Sequence, residues 1–376
     1  MVYLDNAATT KPSEKAIKNA EKYLYEEFYN PSALYRGGLS VAKSVNEAKA
    51  SILKNLGLSP AEYEVVFTSC GTESDNQAIF CMEKRGVFVT DAGEHAAVNK
   101  CFEELARQKK EVVFVPIDDR GGVNFSELKR IVKESKANFV SIMHVNNETG
   151  AINDVSRIAD ELKKIDGNVI FHSDGVQAYG KIPFVFSKNI DAYSISAHKI
   201  GGLKGVGALI KKRKLNLSPY IFGGGQENGL RSGTENTFGI NVFRFAGEEK
   251  YAEIDDNYKK IRDLNDYLRQ NLDKDYFKII SGETASPYIL SASAVGLKGE
   301  VIMHALEEKG FIVGNGSACS ARNRFSRVIK ACGYDEKTLD GVLRISFSSE
   351  STISETMAFT QAVNDCVKNL KGIMGK

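Results

Sequence analysis

No apolar run in this chain approaches the length of a membrane span, which excludes a helical membrane protein. Met1-Val-Tyr-Leu-Asp-Asn lacks the basic start and apolar middle of a secretion signal, so a cytoplasmic protein is expected. An excess of one charge is missing as well: 50 Lys and Arg stand against 48 Asp and Glu, a formal net charge of +2, and no strong field draws nucleic acid or a membrane surface. The main basic cluster, Lys211-Lys-Arg-Lys214, is expected to be a solvated loop after the strand Ala208-Leu-Ile210. The six cysteines, at 70, 81, 101, 319, 332 and 366, lack the paired spacing of a zinc site or a disulfide framework, so no metal is expected. Cys81, Cys101, Cys332 and Cys366 fall among apolar helix-like positions and should pack in the core, whereas Cys70 and Cys319 lie in glycine-bearing turns.

What is present suits a globular protein: 42% hydrophobic and 26% charged residues, in 376 residues that suffice for two domains and a substantial core. Apolar runs at Val65 to Thr68, Val87 to Thr90, Glu111 to Pro116, Asn138 to Met143 and Asn168 to His172 predict strands. Between them, Gln77 to Lys84, Glu94 to Gln108, Ser126 to Ser135 and Val155 to Lys164 predict helices. Such alternation implies right-handed crossovers and an α/β fold, a mainly parallel sheet with helices on both faces. Ahead of it, one helix is expected from Pro12 to about Glu27 and an amphipathic one from Ser40 to about Leu56. Beyond the glycine-dense loop Phe222 to Asn236, a single long helix is expected to lead away from the sheet to about Leu272. Shorter units then form a smaller α+β domain. The expected division is 14–257 for the large domain and 1–13 with 258–376 for the small one.

The candidate chemistry gathers at strand ends. Asp191-Ala-Tyr-Ser-Ile-Ser-Ala-His-Lys199 predicts a short buried strand that presents His198 and Lys199 at the glycine-rich turn Ile200 to Gly207. A lysine amine becomes a useful nucleophile where its surroundings lower its pKa or a carbonyl cofactor captures it. Ser69-Cys-Gly-Thr-Glu-Ser-Asp-Asn76 turns from a strand into a helix, so N–H groups around Gly71 to Glu73 face outward. Phosphate binds at such an end, with the Thr72 hydroxyl adding a donor; simple capping by Ser69 or Thr72 is the plainer alternative. Ligands of parallel sheets bind beyond the carboxyl ends of the strands, where His95, Asn147, Asp174 and Lys199 all fall. A lysine, an acid and an anion cradle are what pyridoxal phosphate requires: a covalent anchor, a carboxylate for the ring nitrogen and a phosphate site. His95 would stack on the ring or move protons. Cys319 lies on the Gly/Ser loop Gly314 to Arg324, where Arg322 and Arg324 would favour a thiolate. Arg344 offers a bidentate clamp for a substrate carboxylate, or a partner for a neighbouring acid.

Seven segments in order carry a resemblance that covers essentially the whole chain: Tyr3-Leu-Asp-Asn-Ala-Ala-Thr-Thr10, Thr72-Glu-Ser-Asp-Asn76, Glu94-His95, His144-Val-Asn-Asn-Glu-Thr-Gly150, Ser196-Ala-His-Lys199, Arg231-Ser-Gly-Thr-Glu-Asn236 and Gly316-Ser-Ala-Cys319. With them the chain resembles the cysteine desulfurases of the nitrogen-fixation and iron-sulfur-cluster type, within the class V aminotransferase group. The resemblance implies a fold type I homodimer with pyridoxal phosphate on Lys199. It implies conversion of L-cysteine to L-alanine, the sulfur being captured as a persulfide on Cys319 for a sulfur-acceptor protein. Asp174 would meet the ring nitrogen, Gln177 the ring hydroxyl oxygen and His95 the ring face. The phosphate would lie at the Gly71 turn, held by Thr72, Ser196 and His198, with Thr234 reaching it from the neighbouring subunit. Asn147 and Arg344 match positions that bind the substrate carboxylate. A selenocysteine lyase or another class V aminotransferase would share Lys199 and Asp174, but an aminotransferase has no use for Cys319. The chain departs from the common pattern at Tyr35, where a histidine often stands, and at Leu203, which replaces a proline.

Overall fold

The computed structural model describes residues 1–82, 86–315 and 325–374. In chain order its strands are β1 (Val2–Leu4), β2 (Tyr63–Thr68), β3 (Val87–Asp91), β4 (Glu111–Val115), β5 (Ala137–Ser141), β6 (Ile170–Asp174), β7 (Ala192–Ser196), β8 (Gly207–Lys212), β9 (Phe277–Ile279), β10 (Ile289–Ala294), β11 (Phe311–Asn315) and β12 (Val342–Ser346). Seven of them make one sheet in the order β2-β8-β7-β6-β5-β3-β4. Pairs from β7 through β6, β5 and β3 to β4 are parallel, and β8 runs antiparallel to both its neighbours. Side chains alternate across this sheet with the period of two that a strand imposes. Val65, Phe67, Val87, Val89, Val140 and Phe171 enter one apolar cluster; Val66, Phe88, Phe139 and Ile170 enter another on the opposite face. Helices cover both faces, as the sequence pattern predicts.

The second sheet has the order β1-β11-β12-β10-β9 and packs its own apolar cluster, with Leu290, Leu343, Phe347 and Phe359 fully or almost fully buried. Its edge strand β1 comes from the start of the chain and pairs in parallel with β11 near the end. Thus the first residues are carried to the last sheet. Among the described residues, no helix is long and apolar enough to cross a membrane.

Several expectations are corrected. The helix expected from Pro12 to Glu27 is two, Glu14–Ala20 and Lys22–Tyr25, the first capped by Ser13. The single long helix after the glycine-dense loop is also two, Thr237–Ala252 and Ile254–Asn271, parted at Glu253. The physical reason is that their apolar stripes serve different cores: Ile240, Phe243 and Ala246 pack on the large sheet, Ile261, Leu264 and Leu268 on the small one. The first of the pair therefore covers the large sheet instead of leaving it. Lys211 and Lys212 do not lie in a solvated loop. They end β8, buried, with Lys211 Nζ 2.6 Å from Glu64 and Lys212 Nζ 2.8 Å from Asp191.

Candidate active site

Three chain reversals at the carboxyl ends of β2, β6 and β7 bring the expected groups together. After β2 the helix Gly71–Phe80 begins earlier than the sequence suggests, with Cys70 as its extended N-cap and no side-chain cap. Neither Ser69 nor Thr72 caps it, so the first-turn N–H groups remain the anion-binding end of a ten-residue helix. Ser69 N donates to Glu73 Oε2 at 2.8 Å, and Glu73 Oε1 accepts from Arg231 Nε at 2.8 Å, which fastens the glycine-dense loop to this turn.

After β7 comes a single 3-10 turn, Ala197–Lys199, and the chain returns along β8. Gly207 faces both Thr68 on β2 and Ser196 on β7; a Cβ there would lie 2.5 Å from the Cys70 carbonyl carbon, so only glycine permits this backbone contact. The Lys199 turn and the Gly71 turn are thereby held side by side. Residues 7–13 are laced over the Lys199 turn. Lys199 Nζ donates to the carbonyls of Ala7 at 2.7 Å and Ala8 at 2.9 Å, Thr10 N donates to His198 O at 2.9 Å, and His198 Nδ1 lies 3.1 Å from Thr9 Oγ1.

Asp174 is the last residue of β6, buried, with Oδ1 accepting from Val176 N at 2.9 Å. Burial pushes its carboxyl up to about 6, while the Val176 N–H and the Lys199 charge hold it from going further. Beneath it lies a buried polar chain: Ser141 Oγ, His172 and Ser194 Oγ are linked at 2.9 and 3.0 Å, and Asp75 stands beside them. Burial, then the charge of Asp174, raises Asp75 well above the usual carboxylate range. Glu94 is also fully buried and raised well above the usual range, by burial and then by the charges of Asp91, Asp174 and Asp75.

His95 caps the helix Ala96–Arg107, its Nδ1 accepting from Ala97 N at 3.2 Å, which leaves the ring hydrogen on Nε2. Burial, then the charges of Lys199, Arg327 and Arg344, pushes its pKa down to about 4. Thr72 and His95 line one cleft with Asn76 and Lys100. On the opposite flank, Arg344 of β12 donates to Asn147 O at 2.9 Å and to Asp5 Oδ1 at 2.8 Å. It is thus both paired with an acid and aimed at the Asn147 loop.

Gln177 follows Asp174, its Nε2 donating to Ala7 O at 2.8 Å. Ser196 Oγ, Asn147 Oδ1 and Arg344 Nε are buried with no hydrogen-bond partner among the described residues. Buried polar atoms are rarely left so, and a hydroxyl three residues before Lys199 together with an amide oxygen and a guanidinium N–H on the Asn147–Arg344 flank suit a polar ligand. An acid, a lysine, an open helix end and orphaned polar atoms of both kinds, donor and acceptor, fit a phosphorylated pyridine ring. Thr234 is exposed on the glycine-dense loop and does not join the group within one chain, and Cys319, with Arg322 and Arg324, lies outside the described residues. Sequence reasoning missed the carbonyls of Ala7 and Ala8, which no residue type betrays, and Asp5 and Lys181. The spacing of Lys181 four residues after Gln177 was the available signal for the latter.

The profile of the family described as aminotransferase class-V matches residues 2–359. A cysteine desulfurase of Trichormus azollae is 33% identical over 386 aligned residues, covering 99% of this chain and 94% of that protein. Among solved structures, a NifS-like protein superposes with a TM-score of 0.91 at 32% identity, covering 98% of this chain and 99% of that one. A structure titled SspA in complex with cysteine gives a TM-score of 0.81 at 26% identity, covering 94% and 100%.

Proposed function

We propose, from the premise that this chain belongs to the class-V aminotransferase family and to its cysteine desulfurases, that it takes sulfur from L-cysteine with Lys199 as the anchor of pyridoxal phosphate. The observation that carries this reading is the position of Lys199 Nζ, on the Ala7 and Ala8 carbonyls and close enough to Asp174 for its charge to act on the buried carboxyl. When bound, the cofactor supplies an electron sink for charge released at the substrate α-carbon.

This chain's own groups do the rest. Asp174 would hold the ring nitrogen in its protonated state, Gln177 would donate to the ring oxygen, and His95 would lie against the ring. The phosphate would be held by the N–H groups from Gly71 and by Thr72, Ser196 and His198, with Thr234 reaching it from a second copy. Arg344 and Asn147 receive the substrate carboxylate. Lys199 Nζ, released from its anchor role, carries the proton away from the α-carbon. Cys319, in the sequence directly after Gly316-Ser-Ala, is the sulfur acceptor: its thiolate attacks the substrate sulfur, an S–S bond forms, and the C–S bond breaks. The bonding electrons go to the β-carbon, which takes up a proton. Alanine leaves and Cys319 keeps the sulfur as a persulfide for an acceptor protein. A cytoplasmic homodimer with a large domain of 14–257 and a small one of 1–13 and 258–376 completes the proposal. Tyr258, packed beside the second core, supports that boundary, and the exposed Tyr25, Phe28, Leu34, Tyr35 and Leu39 supply an apolar face for a second copy.

The test is an assay of wild type and two variants with L-cysteine and a thiol reductant. Lys199→Ala should be colourless and inactive. Cys319→Ser should stay yellow yet form no persulfide; sulfide release at the wild-type rate by this variant would remove Cys319 from the mechanism. Amino-group transfer to an added keto acid, without sulfide, would favour the aminotransferase reading.

A further inference from the structure

We infer that Lys181 is a positioning residue that fixes the side-chain amide of Gln177 as a donor toward the cofactor ring oxygen, an inference that rests on the reading of Gln177 given above. Lys181 is only 6% exposed, and its Nζ donates to Gln177 Oε1 at 2.7 Å. Its surroundings are cationic. Burial, then the charges of Lys199, Arg344 and Lys250, push its pKa well below that of an ordinary lysine, and its hydrogen-bond partner is a neutral amide, not a carboxylate. An amine buried on these terms is costly and calls for a reason.

The reason lies in the amide it touches. Gln177 and Lys181 are four residues apart on the turns that follow β6, where Tyr179 N bonds Gly175 O and Ile182 N bonds Ala178 O, so their side chains share a side. At its other end Gln177 Nε2 donates to Ala7 O, the carbonyl that also accepts from Lys199 Nζ. An amide has one accepting and one donating end. Turned over, Gln177 would set Oε1 against Ala7 O and Nε2 against Lys181, exchanging two matched contacts for two mismatched ones. Lys181 and Ala7 together therefore keep the nitrogen of Gln177 on the side of Lys199. Lys181 and Lys199 also line one cavity with Gly180, Lys250 and Ser349, so the two amines belong to the same pocket.

A donor held on the ring oxygen favours the state in which that oxygen bears its charge without an N–H beside it. The proton at Lys199 Nζ, when the cofactor is joined there, is then released at a lower pH. This can be read without substrate, by titrating the absorbance of the bound cofactor against pH in the holoenzyme. Lys181→Met, of similar length and without a donor, should raise the midpoint by about one pH unit, tenfold in the proton equilibrium. Lys181→Arg keeps a donor and should return at least half of that shift. Gln177→Leu should raise the midpoint at least as far, and Lys181→Met added to it should move nothing more, as expected of two residues acting through one contact. If Lys181→Met leaves the midpoint in place, or adds its full shift on the Gln177→Leu background, the inference fails while the role of Gln177 stands. If Gln177→Leu itself moves nothing, the role of Gln177 fails and the inference goes with it. Should Lys181→Met not fold, Lys181→Gln, polar but too short to reach the amide, carries the same comparison.

Discussion

Asp174 is the residue whose titration should be easiest to see. Its carboxyl, raised to about 6 by burial, is ionised above that pH and neutral below it. Only the ionised form attracts a protonated ring nitrogen. Affinity of the apoprotein for pyridoxal phosphate is therefore expected to fall several-fold between about pH 7.5 and about pH 5.5. The phosphate ester titrates in the same range, so the comparison is with Asp174→Asn, which should bind weakly at both ends and show a flatter profile. Equal slopes in a spectrophotometric titration of the two proteins would assign the dependence to another group. His95 and His198, both pushed down to about 4 by burial and then by the Lys199 charge, lie below this window and do not confuse it.

At the scale of elements, β8 decides more than its sequence suggests. Asp191, just ahead of β7, accepts from Lys163 and Lys212, each at 2.8 Å, and from Phe171 N at 2.9 Å. Asp191→Leu would leave two amines without their carboxylate in a largely buried place, and a loss of about 3–5 kcal/mol is expected in urea unfolding. A loss under about 1 kcal/mol would show that the lysines swing out to water. Lys211 and Lys212 were illegible in the sequence because a lysine run is ordinarily solvated. What overrides that rule is pairing on both sides: Lys211 stands opposite Glu64 on β2 and Ala192 on β7, and neither neighbour is near in sequence. The ends of strands were legible for the opposite reason. An apolar run and the polar residue that stops it are local, so Asp174, Lys199 and the Gly71 turn could be placed before any strand was paired. The start of the helix at Gly71 was not, because Thr72, Ser74 and Asp75 read as turn formers until Thr68 Oγ1 meets Ser74 Oγ at 2.8 Å.

For the whole molecule, the apolar face from Tyr25 to Leu39 gives a direct test of the subunit arrangement. Phe28 is 64% and Leu34 90% exposed in the single chain. If the proposed homodimer forms through this face, the double substitution Phe28→Glu and Leu34→Glu should yield a monomer by light scattering and, with Thr234 in its proposed role, weaken cofactor binding. A dimer of unchanged size would place the interface elsewhere. A different consequence follows from the lacing of residues 5–10, which touch Lys199 on one side and Arg344 and Ser346 on the other. A ribosome makes these three partners at very different times. Chains fold from the amino end as they emerge, and the Ala7, Asp174 and Gly207 side of the Lys199 turn has left the exit tunnel long before Arg344 is joined to the chain, whereas Phe347 to Glu350, which close the cavity beside Lys199, come after it. On the roles proposed above, most groups assigned to the cofactor thus leave the ribosome well before Arg344, the residue assigned to the substrate carboxylate.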